Sequence, residues 1–334
     1  MSEAAARADE ESRFTWGDPD EDILVGISTC LLGEEVRFDG GHKRDTFLTD
    51  VLGRFVRFVP SCPEVEIGMG TPREAIRLIR LEARVHLRGV RSGTDHTDAM
   101  EEYARRRVHE LASMDLSGYV LKRASPSCGM ERVREYDENG SATRTGTGIF
   151  ARVLMEELPL LPVEEEGRLN DDRLRENFIE RLFAYRRLRN LFRPGWTVGD
   201  LVRFHTAEKL QLLAHDPEIY KELGRRVAKA AEADREELAA DYRRSFMAGY
   251  ARHTSTGKNL NVLQHMFGYL RDHLSPAERE GVLGTLDDYA KEWIPLVVPV
   301  TLIRHYVQVH GIEYLQRQRY LQPHPKELLL RNHV

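Results

Sequence analysis

Between residues 23 and 164 short apolar runs alternate with amphipathic stretches, and beyond a proline-punctuated segment that alternation gives way to long helix-period patterns. The runs Ile23-Leu-Val-Gly-Ile-Ser28, Phe55-Val-Arg-Phe-Val-Pro60, Ala83-Arg-Val-His-Leu87 and Gly118-Tyr-Val-Leu121 have strand length and lie between loops. Asp95 to Met114 carries Ala99, Met100, Tyr103, Val108 and Leu111 at helical spacing, and Thr147 to Leu158 predicts a second helix. Strands alternating with helices predict an α/β fold, a Rossmann-like layered domain with a mainly parallel sheet.

Leu158-Pro-Leu-Leu-Pro-Val163 and Glu164-Glu-Glu-Gly167 end the alternation, which places a domain boundary near residue 165. An all-α domain over 165–334 follows, with helices expected at 171–192, 197–215, 217–251, 258–274, 276–290 and 295–309. Residues 1–22 have no apolar periodicity and read as an acidic, disordered tail. The chain of 334 residues is long enough for two cores, and no stretch nears the roughly 20 apolar residues of a membrane span. Its three cysteines are too few and too odd in number for a secreted disulfide framework, so reduced thiols and a cytoplasmic location are expected.

The formal charge of −5 is unevenly spread. Eight acids against Arg7 and Arg13 make the tail −6, residues 23–164 sum to −2 and residues 165–334 to +3. The positive part of the chain is thereby assigned to the C-terminal half.

Cys30, Cys62 and Cys128 each follow an expected strand, and in a parallel sheet those strand ends share one edge. The loops Ser61-Cys-Pro-Glu64 and Ser125-Pro-Ser-Cys-Gly129 are rich in turn formers and hydroxyls, a setting that presents a thiol. Three thiolates hold either a zinc with one open position or three irons of a cubane whose fourth iron is free. The missing CxxC knuckle favours the cubane, and a thiophilic open iron favours a sulfur-bearing substrate. Dispersed cysteine spacing argues against radical chemistry with S-adenosylmethionine. After Cys30 come Gly33, Val36-Arg-Phe-Asp-Gly40 and His42-Lys43-Arg44, a glycine-rich and basic run suited to an anion such as phosphate.

Cys30-Leu-Leu-Gly33, Val36-Arg-Phe-Asp-Gly40, Cys62-Pro-Glu64 and Ser125-Pro-Ser-Cys-Gly129, in this order, resemble the thiouracil desulfidase (TudS) family. The C-terminal half resembles the YbgA-type helical domain through Phe204-His-Thr-Ala-Glu-Lys-Leu210, Leu213-Ala-His215, His253-Thr-Ser-Thr-Gly-Lys258 and Tyr320-Leu-Gln-Pro-His-Pro-Lys-Glu-Leu328. The fusion of the two resembles bacterial desulfidases acting on tRNA. That resemblance implies a 4Fe-4S cluster on Cys30, Cys62 and Cys128 with one iron not bound by protein, and conversion of 4-thiouridine to uridine with loss of sulfide. Glu64 is the expected acid/base, lifted toward its working range by burial, and Ser125 the expected hydrogen-bond donor to base or sulfur, with Ser127 the alternative. Arg37, His42 and Lys43, and secondarily Lys122 and Arg123, are the expected anion contacts, with the Gly146-Thr-Gly148 turn a further phosphate cradle.

About 170 residues beyond the first domain suit a large substrate, tRNA containing 4-thiouridine. Arg186, Arg187, Arg189 and Arg193 fall on one expected helix with Arg181, and together with Lys258 form the expected RNA-binding set. Two alternatives stand beside this reading. The same chemistry on free thiouracil or 4-thiouridine monophosphate leaves the helical domain for oligomerisation or regulation, and a non-enzymatic cluster protein binds RNA or senses redox state. No membrane partner is expected.

Overall fold

The computed structural model describes residues 23–82 and 84–333, so the acidic tail expected at 1–22 lies outside the described residues. Two compact units divide between Asp171 and Asp172. In chain order the first contains β1 (Leu24–Ser28), β2 (Arg57–Ser61), α1 (Pro63–Glu66), β3 (Ile76–Leu81), β4 (Arg84–Gly89), α2 (Thr97–Ser113), β5 (Gly118–Leu121), β6 (Val133–Tyr136), β7 (Ala142–Gly146), α3 (Ile149–Glu157) and β8 (Val163–Glu165). The residues at the expected boundary are sheet and not linker, since β8 pairs with β5.

The first sheet has the order β2-β1-β5-β8, and every neighbouring pair in it is parallel. Its central strands are apolar on both faces: Val25, Ile27, Tyr119, Val120 and Leu121 are fully buried. Phe150 of α3 packs its ring against Tyr103 of α2 and Tyr119 of β5, at centroid distances of 6.2 and 5.8 Å. The chain leaves β1 first toward β2 and then, on the other side, toward β5 and β8. That reversal makes the carboxyl edge at β1 and β5 the topological switch point, where open parallel sheets bind ligands.

The strand expected at Ala83–Leu87 does not join this sheet. It is β4, an antiparallel partner of β3 in a second, mixed sheet of order β4-β3-β6-β7. Charged and hydroxyl residues interrupt β3, β6 and β7, so their apolar alternation on one face only is weak in the sequence.

The second unit is all-α, with α4 (Asp172–Leu191), α5 (Val198–His215), α6 (Pro217–Ala228), α7 (Arg235–Tyr250), α8 (Thr256–Leu270), α9 (Pro276–Ala290), α10 (Val297–Val309) and α11 (Glu313–Gln316). No helix among the described residues is long and apolar enough to cross a membrane. The single helix expected over 217–251 is two, because the Asp234 side chain accepts from the N–H groups of Glu236 and Glu237 and starts a new helix. Leu210, Val262, Leu263, Met266, Ile303, Val307 and Tyr320 form one apolar core. Beside it lies a buried polar network: Arg331 donates to Glu180 at 2.7 Å and Glu176 at 3.3 Å, and Arg187 donates to Glu208 at 2.5 Å.

His205 and His324 sit in this interior, and burial pushes both down to about 4. An unfolded histidine takes up its proton near pH 6.5, so over the interval between the unfolded and folded values the unfolded state binds more protons. Their contribution, roughly 3 kcal/mol each, is full above the unfolded value and is lost as pH falls through the folded one. The histidines' share of this unit's stability, read in chemical denaturation as wild type minus variant, is therefore expected to decline between about pH 6.5 and 4. Replacing both histidines, His205→Gln with His324→Gln, is expected to flatten that decline, and an unchanged slope in the double variant contradicts the assignment.

Candidate active site

Each cysteine is positioned by a strand end. Cys30 lies in a 3-10 turn directly after β1, closed by Gly33 at φ 99°, a conformation that favours glycine. Its carbonyl also accepts from the N–H of Lys43 at 2.9 Å, which folds the basic segment back over the turn. Cys62 precedes α1, and its N–H donates to Glu66 Oε1 at 2.9 Å. Cys128 ends a loop after β5 in which Ser125 Oγ accepts from the N–H groups of Cys128 at 3.1 Å and Ser127 at 3.3 Å. The close approach of α3 to this loop requires Gly148, where a Cβ would sit 2.5 Å from the Ser127 carbonyl oxygen. Gly148 N–H donates to Gly129 O at 2.8 Å, so the turn expected to cradle phosphate serves loop packing instead.

All three thiols line one cavity of about 920 Å³ at the carboxyl edge of the parallel sheet. Burial pushes the Cys30 thiol up to about 11, with the cations Lys122 and Arg37 opposing the rise and Cys62 adding to it. Burial likewise raises Cys62, and raises Cys128 strongly, with the Glu64 charge the next cause. These thiols are thus poor free nucleophiles, and a cationic centre would be what deprotonates them.

Glu64 is held on both carboxylate oxygens. Arg73 donates to Oε2 from Nε at 3.0 Å and from Nη2, while Oε1 accepts from Ser127 Oγ at 2.5 Å and Ser125 Oγ at 3.4 Å. Beside the burial expected from the sequence, the carboxylate has a guanidinium partner whose side chain is itself 5% exposed. Arg73 also donates to the carbonyls of Val36 at 3.0 Å and Gly70 at 2.8 Å, so one side chain ties Glu64 to the loop after Cys30. Arg73 is the functional residue the sequence reading missed. Its only signal is a lone cation at the end of the turn-forming run Gly68-Met-Gly70-Thr-Pro-Arg73.

Arg37, Lys43, Lys122, Arg123 and Ser125 line the cavity. Arg37 pairs with Asp39 at 3.4 Å, and Lys122 pairs with Glu166 at 2.5 Å. Two expected contacts are placed elsewhere. Ser127 is fully buried behind the cavity wall, where its hydroxyl is given to Glu64 and lies 3.7 Å from Cys128 Sγ. His42 is exposed outside the cavity lining, its Nδ1 accepting from the Arg44 N–H at 3.2 Å.

The expected RNA contacts on the helical unit are corrected more sharply. Arg186 and Arg187 are 1% and 3% exposed, because α4 is buried on most of its circumference. Arg187 is spent on Glu208 and on the Pro323 carbonyl at 3.1 Å. Arg189 lies over the Tyr185 ring at 5.7 Å, and Arg193 falls beyond the helix end at Leu191, so these arginines form no common solvent face. Lys258 donates to the carbonyls of His215 at 2.7 Å and His253 at 3.1 Å, closing the end of α5.

Three thiols on one cavity wall, one of them contacted by a hydroxyl, suit a multi-iron cluster in which each iron takes its own thiolate. Among the described residues no three His, Cys, Asp or Glu side chains close around a single-ion position. The residues present fit the cluster. Replacing Arg73 by Met is expected to strand a buried carboxylate and to destabilise the unit by about 3–5 kcal/mol in urea denaturation, with Arg73→Lys intermediate. A loss below about 1 kcal/mol contradicts the clamp.

Residues 25–166 match the family described as 2-thiouracil desulfurase, and residues 209–325 match a protein family of unknown function, DUF1722. The uncharacterized protein YbgA of Escherichia coli K12 is 30% identical over 165 residues, which cover 49% of this chain and 98% of YbgA. The uncharacterized protein YbbK of Bacillus subtilis 168 is 29% identical over 153 residues, covering 44% of this chain and 99% of YbbK. Among solved structures, the 4Fe-4S-dependent thiouracil desulfidase TudS is 29% identical, covering 45% of this chain and 94% of that one, with a TM-score of 0.37. The chain therefore joins a 2-thiouracil desulfurase domain to a DUF1722 domain, and through the latter it belongs to the family of YbgA.

Proposed function

We propose that this chain is a desulfidase that converts 4-thiouridine in tRNA to uridine, using a 4Fe-4S cluster held by Cys30, Cys62 and Cys128 with one iron free of protein ligands. The observation that carries the reading is the convergence of those thiols with Glu64 and Ser125 on one cavity at the carboxyl edge of the parallel sheet. The match of residues 25–166 to the 2-thiouracil desulfurase family supports it.

When bound, the cluster supplies a thiophilic Lewis acid that polarises a carbon–sulfur bond. The protein supplies the rest. Glu64 Oε1 takes a proton from the attacking water, while Oε2 stays fixed by Arg73. Ser125 hydrogen-bonds the base or its sulfur as charge develops, a role supported by its position on the cavity wall 3.4 Å from that carboxylate. The Ser127 hydroxyl orients Glu64 from behind, which makes it a positioning residue. The net change is C=S plus water to C=O plus hydrogen sulfide: the water oxygen replaces sulfur, both its protons leave with sulfide, and no electrons are exchanged.

The test is anaerobic release of sulfide from 4-thiouridine-containing tRNA by the reconstituted full chain. Replacing any one of the three cysteines by Ala is expected to lose iron and turnover together. Glu64→Gln is expected to keep its iron and lose about 10²–10⁴-fold in turnover. Turnover by iron-free protein, or an undiminished rate in Glu64→Gln, contradicts the proposal; turnover of free 4-thiouridine monophosphate with none on tRNA restricts the substrate to the nucleotide.

A further inference from the structure

We propose that the cavity-facing side of the second sheet, built around Arg77, Arg134, Tyr136 and Arg144, is the surface on which the phosphodiester backbone of the RNA substrate docks. This rests on the reading of the site as a desulfidase of a base within tRNA.

Alternation along the strands separates two faces of this sheet. Leu78 and Val133 are buried on one, and Leu78 stands opposite Leu87 and Glu135. The other face carries Arg77 opposite Arg88, with Arg134 and Tyr136 flanking Glu135 along β6. Two like charges directly across an antiparallel pair are unfavourable unless an anion lies over them. Asp95 answers Arg88 at 3.3 Å. Arg77 has no such carboxylate: its guanidinium lies 5.2 Å from the Tyr136 ring centroid, and its Nε is buried with no hydrogen-bond partner among the described residues. Arg134 and Arg144 are exposed, and no carboxylate among the described residues pairs with either.

Arg77, Arg134, Tyr136 and Arg144 line the same cavity as the three cysteines. Ten Arg or Lys residues line that cavity against three Glu, although residues 23–164 sum to −2. Positive charge in this unit is thus collected where the reacting base must enter. Unpaired guanidinium groups around an aromatic ring on an open sheet match the two demands of a nucleic-acid strand, charge for its phosphates and a flat face for a base. A strand held there extends away from the cavity while one base turns inward to reach the thiols.

The experiment measures binding of unfractionated tRNA to the anaerobically reconstituted full chain by fluorescence anisotropy across a series of KCl concentrations. The double variant Arg134→Gln, Arg144→Gln is expected to weaken binding by about tenfold or more and to reduce the slope of log K against log salt by about 1.4–1.8, the release from two phosphates. The charge-matched control Arg105→Gln, Arg106→Gln, on the exposed side of α2 outside the cavity lining, is expected to bind with the wild-type slope. A wild-type constant and slope in the Arg134, Arg144 variant, or an equal loss in the control, overturns the inference. Failure of the desulfidase reading shows separately, as absence of sulfide release from 4-thiouridine-containing tRNA by the wild-type chain even where that tRNA binds with the full salt slope.

Discussion

Parallel pairing of β1 with β2 on one side and β5 on the other is the constraint on which the site depends. Parallel strands all end at one edge, so Ser28, Ser61 and Leu121 deliver their following loops to the same place although they lie far apart in sequence. Each loop then contributes one thiol. The arrangement costs three long crossovers, and the chain uses the second and third of them to build β3, β4, β6 and β7 beside the cavity.

Within that frame Arg73 and Glu64 form an ion pair in the cavity lining. A buried ion pair adds little net stability, but removing either member leaves a charge uncompensated, so the pair fixes geometry at the cavity wall. Arg73 grips the carbonyl of Val36 in the loop after Cys30, and Glu64 meets the two serines just before Cys128, which couples two cysteine loops through one carboxylate. Under the proposed function the basic lining would serve two ends, offsetting the charge of three thiolates and, beyond them, facing an anionic substrate.

Much of this was legible in the sequence. The strand at Gly118–Leu121 and the helix at 276–290 coincide with expectation, because each is bounded by strong local signals, a run of apolar residues in one and Ser275-Pro276 in the other. The second sheet was legible only as Ala83–Leu87, since β7 exposes four of its five residues and β3 and β6 carry charged residues between their apolar ones. The placement of RNA contacts on α4 failed for a different reason. Helical spacing shows which residues share a face, not whether that face meets solvent, and Glu208 answers the buried Arg187 from another helix. Segment charge hides the cavity as well: nine of the ten cations that line it lie in residues 23–164, whose charges sum to −2.

The central claim is that water replaces sulfur on a base held in the three-cysteine cavity. Its most direct test is anaerobic reaction of the reconstituted full chain with 4-thiouridine-containing tRNA in heavy-oxygen water, with sulfide and nucleosides both quantified. The account predicts sulfide and uridine in equal amounts, with the heavy oxygen on C4 of that uridine. Persistence of the thiolated base, or sulfide released without heavy oxygen entering the ring, would contradict it.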